Sequence, residues 1–198
     1  QPSWTNLSAG VDEQVHALAT APDGILYAGG LFTSADGTSA NYVAAWNGQL
    51  WTNLGGGMEN SVWSLTVAPD GSLFAGGNFN TADGLTVNAV AQWNGTAWTN
   101  LSSGVDLEVR ALLAGTNGLL YAGGWFTTAG GSPASCIAQW DGTTWTNLGN
   151  GASDYVLALA EDASGRLYAG GWFETAGDVT ANCVAVWTQN TWTNLGSG

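Results

Sequence analysis

A repeat with a fixed period of 47 residues dominates the sequence. Its clearest marker is the tetrapeptide Trp-Thr-Asn-Leu, and a second tryptophan recurs at the same spacing. The tetrapeptide begins at Trp4, Trp51, Trp98, Trp145 and Trp192, and the second tryptophan lies at Trp46, Trp93, Trp140 and Trp187. Periods of about 40–50 residues with strand-like content are typical of β-propellers, in which each repeat forms one blade. The 198 residues hold four such units and part of a fifth.

Each unit is predicted to form four short strands. In the first unit, a β-branched and apolar run from Val15 ends at the turn signal Pro22-Asp23-Gly24, and Asn47-Gly48 indicates a tight hairpin before the last strand. No stretch combines helical periodicity with capping residues. We therefore predict an all-β fold, a single propeller domain over residues 1–198. The expected blades are about 11–54, 58–101, 105–148 and 152–195, with a surplus outer strand at 4–7.

Side-chain size changes along each repeat. The first two predicted strands are rich in small residues, such as Ala17, Ala19 and Ala28-Gly29-Gly30, whereas the last two carry the tryptophan pair. A propeller blade has a neighbour on each face and narrows toward the central axis. The gradient predicts wedge-shaped blades in which the recurring tryptophans are core residues at the wide, outer part.

Three motifs recur together: V-x-A-L, then L-Y-A-G-G-x-F, then W-N-G-x-x-W-T-N-L-G. The second is seen at Leu26-Tyr27-Ala28-Gly29-Gly30 and again from Leu73, Leu120 and Leu167. This pattern resembles the kelch-like β-propeller repeats of bacterial secreted and surface proteins, over the whole chain. The resemblance implies a secreted or cell-surface protein that binds or acts as a scaffold, because most such proteins bind and few catalyse.

The charge balance excludes two classes of partner. The formal net charge is −13, there is no lysine, and the only arginines are Arg110 and Arg166. Nucleic-acid phosphates and anionic membranes both require a basic surface that this chain lacks. No run of 18 apolar residues is long enough to cross a bilayer, and no signal peptide is visible. The start at Gln1 and the stop at Gly198, in register with Gly10, lead us to expect a processed, cut or engineered chain.

Both ends of the chain carry the last-strand motif, so one copy is surplus if four blades close on themselves. Three interpretations follow: a fragment of a longer array, two chains that build one eight-bladed ring, or four blades that close with a redundant tail. Closed symmetric assembly is the usual outcome for self-complementary repeats. We therefore expect a homodimer that forms an eight-bladed ring, with strand exchange at the junction as one way to close it.

Catalytic constellations are scarce. His16 is the only histidine, nothing near it in sequence suggests an activated nucleophile, and we expect it to be packed and hydrogen-bonded. Cys136 and Cys183 lie one period apart, so they occupy the same register on blades about 10 Å apart, whereas a disulfide requires Cα atoms within about 7 Å. Both are predicted to be buried free thiols. We expect no enzymatic activity and no cofactor.

Acidic residues cluster in the links between blades, where we expect them on one face near the central opening. They are Asp12, Glu13, Glu59, Asp106, Glu108 and Asp154. Such carboxylates could hold Ca²⁺ or another hard cation, and Asp12, Glu59, Asp106 and Asp154 are the candidate ligands. No Ca²⁺-loop motif supports a metal, so the sequence favours a solvated acidic rim.

Positions that vary between otherwise regular repeats are free to serve a function. The second residue of the first strand is His16, Trp63, Arg110 or Leu157, and the residue after Gly-Gly is Leu31, Asn78, Trp125 or Trp172. The candidate ligand-binding residues are His16, Trp63, Arg110, Trp125 and Trp172. Exposed aromatic rings beside polar groups are typical of sugar-binding surfaces, whereas drift between blades would give the same variation. We predict a non-catalytic binding scaffold, with a multivalent, lectin-like propeller as the alternative; glycans or proteins would be its partners.

Overall fold

The computed structural model describes residues 5–196, which form β-strands and no helix. Each repeat folds into one four-stranded antiparallel sheet, a blade, and carries a two-stranded hairpin between its second and third strands. This confirms the predicted all-β propeller fold. Within residues 5–196 no helix has the length and apolar character needed to cross a bilayer.

The blades share one topology, in which successive strands of the sheet are neighbours. Blade 1 consists of β1 (Val15–Thr20), β2 (Leu26–Gly30), β5 (Val43–Trp46) and β6 (Trp51–Asn53), with the hairpin β3 (Ser34–Ala35) and β4 (Thr38–Ser39). Blade 2 consists of β7 (Val62–Val67), β8 (Leu73–Gly77), β11 (Val90–Trp93) and β12 (Trp98–Asn100), with the hairpin β9 (Thr81–Ala82) and β10 (Leu85–Thr86).

Blades 3 and 4 repeat this order. Blade 3 consists of β13 (Glu108–Ala114), β14 (Leu120–Trp125), β17 (Ile137–Trp140) and β18 (Trp145–Asn147), with the hairpin β15 (Thr128–Ala129) and β16 (Ser132–Pro133). Blade 4 consists of β19 (Val156–Glu161), β20 (Leu167–Gly171), β23 (Val184–Thr188) and β24 (Thr191–Asn194), with the hairpin β21 (Thr175–Ala176) and β22 (Val179–Thr180). The first strands of consecutive blades contact one another, so they form the inner side of the array.

The recurring tryptophans lie in the core of each blade, as predicted. Within every blade the two indole rings pack at 5.2–5.5 Å between centroids. The tryptophan of the outer strand also links neighbouring repeats: the Trp98 Nε1–H donates to the Leu54 carbonyl oxygen at 2.8 Å, and the same bond recurs in each repeat. The outer-strand tryptophan therefore packs within its own blade and also joins that blade to the preceding repeat.

A surplus strand was predicted at 4–7, over the leading Trp-Thr-Asn-Leu motif. Residue 4 lies outside the described residues, and residues 5–7 are not paired in any sheet. In the other repeats this motif forms the outer strand of a blade and pairs with the third strand. In blade 1 the third strand, β5, already pairs with β6, so residues 5–7 have no strand to pair with. The Leu7 carbonyl oxygen instead accepts the Trp51 Nε1–H bond at 3.0 Å.

The two cysteines are free thiols in unequal surroundings. Cys136 is buried against blade 4, and burial raises the pKa of its thiol. Cys183 is exposed, so the prediction that both are buried is wrong for this residue. Its environment differs because no described residue covers the far face of blade 4.

Candidate functional site

The variable position of the inner strand lies at a β-bulge. In blade 1, Val15 pairs with Gly30 and Ala17 with Gly29, which leaves His16 as the extra residue. The same register shift occurs in the other three blades, at Trp63, Arg110 and Leu157. A bulge breaks the alternation of the strand and re-aims a side chain, and bulges are common beside functional sites. The fold thus places, at an equivalent position in each blade, one side chain that the strand pairing does not require.

The second glycine of each Gly-Gly pair makes this bulge possible. A Cβ atom at Gly124 would collide with the carbonyl oxygen of Glu108, and one at Gly171 would collide with that of Tyr155. The same carbonyl of Tyr155 accepts a hydrogen bond from the Trp172 N–H at 2.9 Å. Glycine is therefore required by close approach of two backbones, which places the residue after Gly-Gly beside the start of the inner strand of the same blade.

Three of the bulge residues contact one another along the inner strands. The His16 and Trp63 rings lie 4.3 Å apart between centroids, and the Arg110 guanidinium carbon lies 4.4 Å from the centroid of the Trp63 ring. Arg110 Nη2 also donates to both carboxylate oxygens of Glu108, at 2.9 and 3.0 Å. The cation is held between an aromatic face and a carboxylate, which fixes its orientation.

A second group of aromatic residues continues the surface toward blade 4. The Trp125 and Tyr155 rings are stacked, with centroids 4.6 Å apart and planes 18° apart. Tyr155 also meets Trp172 edge to face at 5.3 Å. Partial burial, together with the charge of Glu108 and a hydrogen bond to it, raises the pKa of the Tyr155 phenol. Tyr155 thus joins the aromatic group to the Arg110–Glu108 pair.

We call this continuous surface the inner row. Its members are His16, Trp63, Arg110, Glu108, Tyr155, Trp125 and Trp172. Trp125 is 40% exposed and Trp172 is 64% exposed. Two buried donors of the row, the indole N–H of Trp63 and the Nε–H of Arg110, have no hydrogen-bond partner among the described residues. Buried donors are normally satisfied, so these two atoms set the row apart from the rest of the blade interior.

The structure brings together all five of the predicted ligand-binding residues, which are His16, Trp63, Arg110, Trp125 and Trp172. Sequence reasoning missed the connecting role of Tyr155 and of Glu108. Both precede the first valine of an inner strand, at a position that the repeat fills with Gln14, Ser61, Glu108 and Tyr155. The variation at that position in the sequence could have marked it as a further candidate binding position.

The candidate metal ligands have structural partners instead. Asp106 accepts hydrogen bonds from the backbone N–H groups of Thr127 and Thr128, at 2.8 and 3.0 Å, and from the Thr127 hydroxyl. Burial opposes these bonds, but together they hold the pKa of Asp106 below its usual value. Asp12 and Glu59 serve the equivalent hairpins in blades 1 and 2.

Blade 4 departs from this pattern. Ser153 takes the hairpin position there, and Asp154 accepts from its own neighbour, Tyr155 N–H. Asp154 is therefore out of register with the other three acids. Within residues 5–196 no three histidine, cysteine or acidic side chains come together as a metal site would require.

The repeated blades, their shared topology and the inner row define a β-propeller repeat protein. The family model described as "Domain of unknown function (DUF5122) beta-propeller" matches residues 68–94, within blade 2. A search of curated proteins gives no significant match.

Solved structures share the fold. The chain is similar to two structures of the extracellular domain of BT4673 from B. thetaiotaomicron, assigned in one to a hybrid two-component system and in the other to a one-component system. They give TM-scores of 0.58 and 0.59 at 17% identity, with 92% and 98% of this chain and 22% and 23% of theirs covered. The extracellular domain of BT3049, assigned to a hybrid two-component system of the same organism, gives 0.56 at 12% identity, with 84% and 22% covered. The chain spans under a quarter of the length of each.

Proposed function

We propose that this protein is a non-catalytic β-propeller that acts as a rigid binding scaffold and contacts its ligand through the inner row. One observation carries the proposal: the bulge positions of blades 1 to 3 hold His16, Trp63 and Arg110, and these large side chains meet in one continuous surface. Packed strands on both sides hold that surface rigid, which lowers the entropic cost of binding.

The chemistry of the row supports binding over catalysis. The ring of His16 lies against Trp63, and Arg110 is engaged by Glu108. A nucleophile and a general base in hydrogen-bond contact are the signature of covalent catalysis, and the row offers aromatic faces and a held cation instead.

Carbohydrate binding is the second candidate function. The observation that favours it is the pair of exposed rings, Trp125 and Trp172, on either side of Tyr155. A depression of about 220 Å³ adjoins Trp125 and is lined in part by the hydroxyl-bearing residues Thr127, Ser135 and Ser153. Stacking on an aromatic face with hydroxyl groups nearby is how sugars are commonly held.

The biological setting is also a proposal. We place the chain among kelch-like repeats and outside the cell, either secreted or on a bacterial surface. The repeat motifs and the similarity to extracellular domains of B. thetaiotaomicron proteins support this. We further propose that the chain forms a homodimer, in which two sets of four blades build one eight-bladed ring.

Two probes test the binding role: a printed glycan array and a phage-displayed peptide library selected on the immobilised chain. Trp125→Ser removes one exposed ring of the row, and Leu85→Ser is the matched control, because Leu85 is 41% exposed on a hairpin outside the row. We expect binders that Trp125→Ser weakens and Leu85→Ser leaves intact. Binders indifferent to Trp125→Ser would refute the assignment of the row, and an array with no glycan bound would remove the lectin alternative.

A further inference from the structure

The three contacts between consecutive blades use one repeated pair of surfaces. The first glycine of each Gly-Gly pair lies under a valine and a leucine from the inner strand of the next blade. At Gly76, a Cβ atom would stand 2.5 Å from Val109 Cγ1 and 3.1 Å from Leu112 Cδ1. Gly29 has the same relation to blade 2, and Gly123 the same relation to blade 4. Each blade therefore has a leading face that carries the valine and leucine, and a trailing face that carries the glycine.

Within residues 5–196, no residue covers the leading face of blade 1 as the next blade covers the others. Val15 is 42% exposed and Leu18 is 62% exposed, whereas their counterparts in blade 2, Val62 and Leu65, are 0% and 8% exposed. The other blades bury the valine at this position, and they bury or half-bury the leucine. Clusters of exposed apolar residues on a sheet face mark an interaction surface.

The trailing face of blade 4 likewise has no cover among the described residues. The space above Gly170 is open, since the nearest atoms to a Cβ there are 3.9–4.0 Å away and belong to blade 4 itself. Tyr168 and Val184 are half-buried and Cys183 is exposed, although the equivalent residues of blade 3 are buried. The notch that receives a valine in the other blades is present here.

We propose that the leading face of blade 1 packs on the trailing face of blade 4 of a second copy, with Val15 and Leu18 over Gly170. The proposal deepens the homodimer proposed above by naming its interface. A second copy fits because the chain itself forms this contact three times, with the same residue types in the same register. Two such contacts between two copies close a ring without leaving a free face.

The same contact would extend the inner row. Inside the chain, Trp125 of blade 3 stacks on Tyr155 at the start of blade 4. Trp172 occupies the place of Trp125, and Gln14 occupies the place of Tyr155 in blade 1. By this analogy Trp172 would meet Gln14 of the second copy, so each copy would continue the row of the other.

Two variants block the two faces separately. Gly170→Val fills the notch on blade 4, where a single chain has room for the side chain and the backbone is outside the left-handed region. Leu18→Asp places a charge on the face of blade 1. Leu50→Asp is the control, because Leu50 is 48% exposed in the hairpin between β5 and β6, off both faces.

Native mass spectrometry gives the readout. We expect about 41 kDa, twice the 20.3 kDa of one chain, for the unmodified protein and for Leu50→Asp. Gly170→Val and Leu18→Asp should each give the mass of one chain. Circular dichroism of both variants shows whether the β-structure is retained.

Mixing the two monomeric variants tests the pairing of unlike faces. One of the two contacts in a mixed dimer combines two unmodified faces, so mixing should restore a part of the dimer. A monomeric unmodified chain would overturn the proposal and leave further blades of a longer polypeptide as the cover. A dimer that Gly170→Val leaves intact, or an open polymer, would also overturn it. Ligand binding through Trp125 is measured separately, so failure of the assembly and failure of the binding role are distinguishable.

Discussion

The contact between blades 2 and 3 offers a double-mutant cycle that tests the packing of the array. Gly76→Ala introduces a methyl group 2.5 Å from Val109 Cγ1, far inside normal contact. Overpacking of this kind costs about 1–3 kcal/mol of unfolding free energy. Val109→Ala removes two methyl groups from a side chain that is 0% exposed, at about 0.8 kcal/mol each plus a cavity term, or about 2 kcal/mol in total.

The double variant Gly76→Ala/Val109→Ala tests whether these two residues pack against each other. If the new methyl group occupies the space that Val109 vacates, the two losses compensate each other, and the double variant should lose only about 1–2.5 kcal/mol instead of the additive total of about 3–5 kcal/mol. The assay is guanidinium chloride unfolding, followed by tryptophan fluorescence at one fixed protein concentration. Losses that add to within about 0.5 kcal/mol would refute the face-to-face packing of this glycine and valine.

Two further changes test the fold. Trp98→Phe removes the N–H that donates to the Leu54 carbonyl oxygen, and it should lower the unfolding free energy by about 0.5–1.5 kcal/mol more than Trp93→Phe does. Trp93→Phe is the control because the Trp93 indole has no such bond among the described residues. Denaturant midpoints of the two variants give the comparison, and equal losses would count against the link. The pKa of Asp106 is lower in the folded state than in the unfolded state, where it is near 3.8. The stability that the ionised carboxylate contributes is therefore complete above the unfolded pKa and is lost as the pH falls through the folded pKa. Asp106→Asn should therefore lose less stability than the unmodified chain between about pH 4 and pH 2 in an acid titration followed by circular dichroism, and an unchanged pH profile would contradict the role of the Thr127 hydrogen bonds.

The fold was predictable because the same pattern of strands and turns occurs in four consecutive repeats. The period, the turn signals and the gradient from glycine and alanine to tryptophan all depend on local sequence, and the sheets follow them. The tryptophan pairs lie where the wedge argument placed them. A repeat also separates residues that serve the fold from residues that are free, and this led to His16, Trp63 and Arg110.

Other features depend on contacts that no local pattern encodes. The bulge at His16 arises from a backbone approach between two strands, and the stacking of Trp125 on Tyr155 joins two blades. The sequence pointed to a solvated rim or a metal ligand at Asp106, because the hairpin that Asp106 supports lies about 20 residues further along the chain. The exposure of Cys183 depends on which blade follows it.

The central claim is that the array closes by repeating its own blade contact with a second copy, and the two cysteines report on it directly. Cys136 lies inside an existing contact and is 7% exposed, whereas Cys183 has the same place on the open face of blade 4. The measurement is the rate at which iodoacetamide alkylates each thiol in the native, unmodified chain, read by mass spectrometry of peptides. If the ring closes, Cys183 should react as slowly as Cys136. Rapid alkylation of Cys183 beside a protected Cys136 would contradict the account.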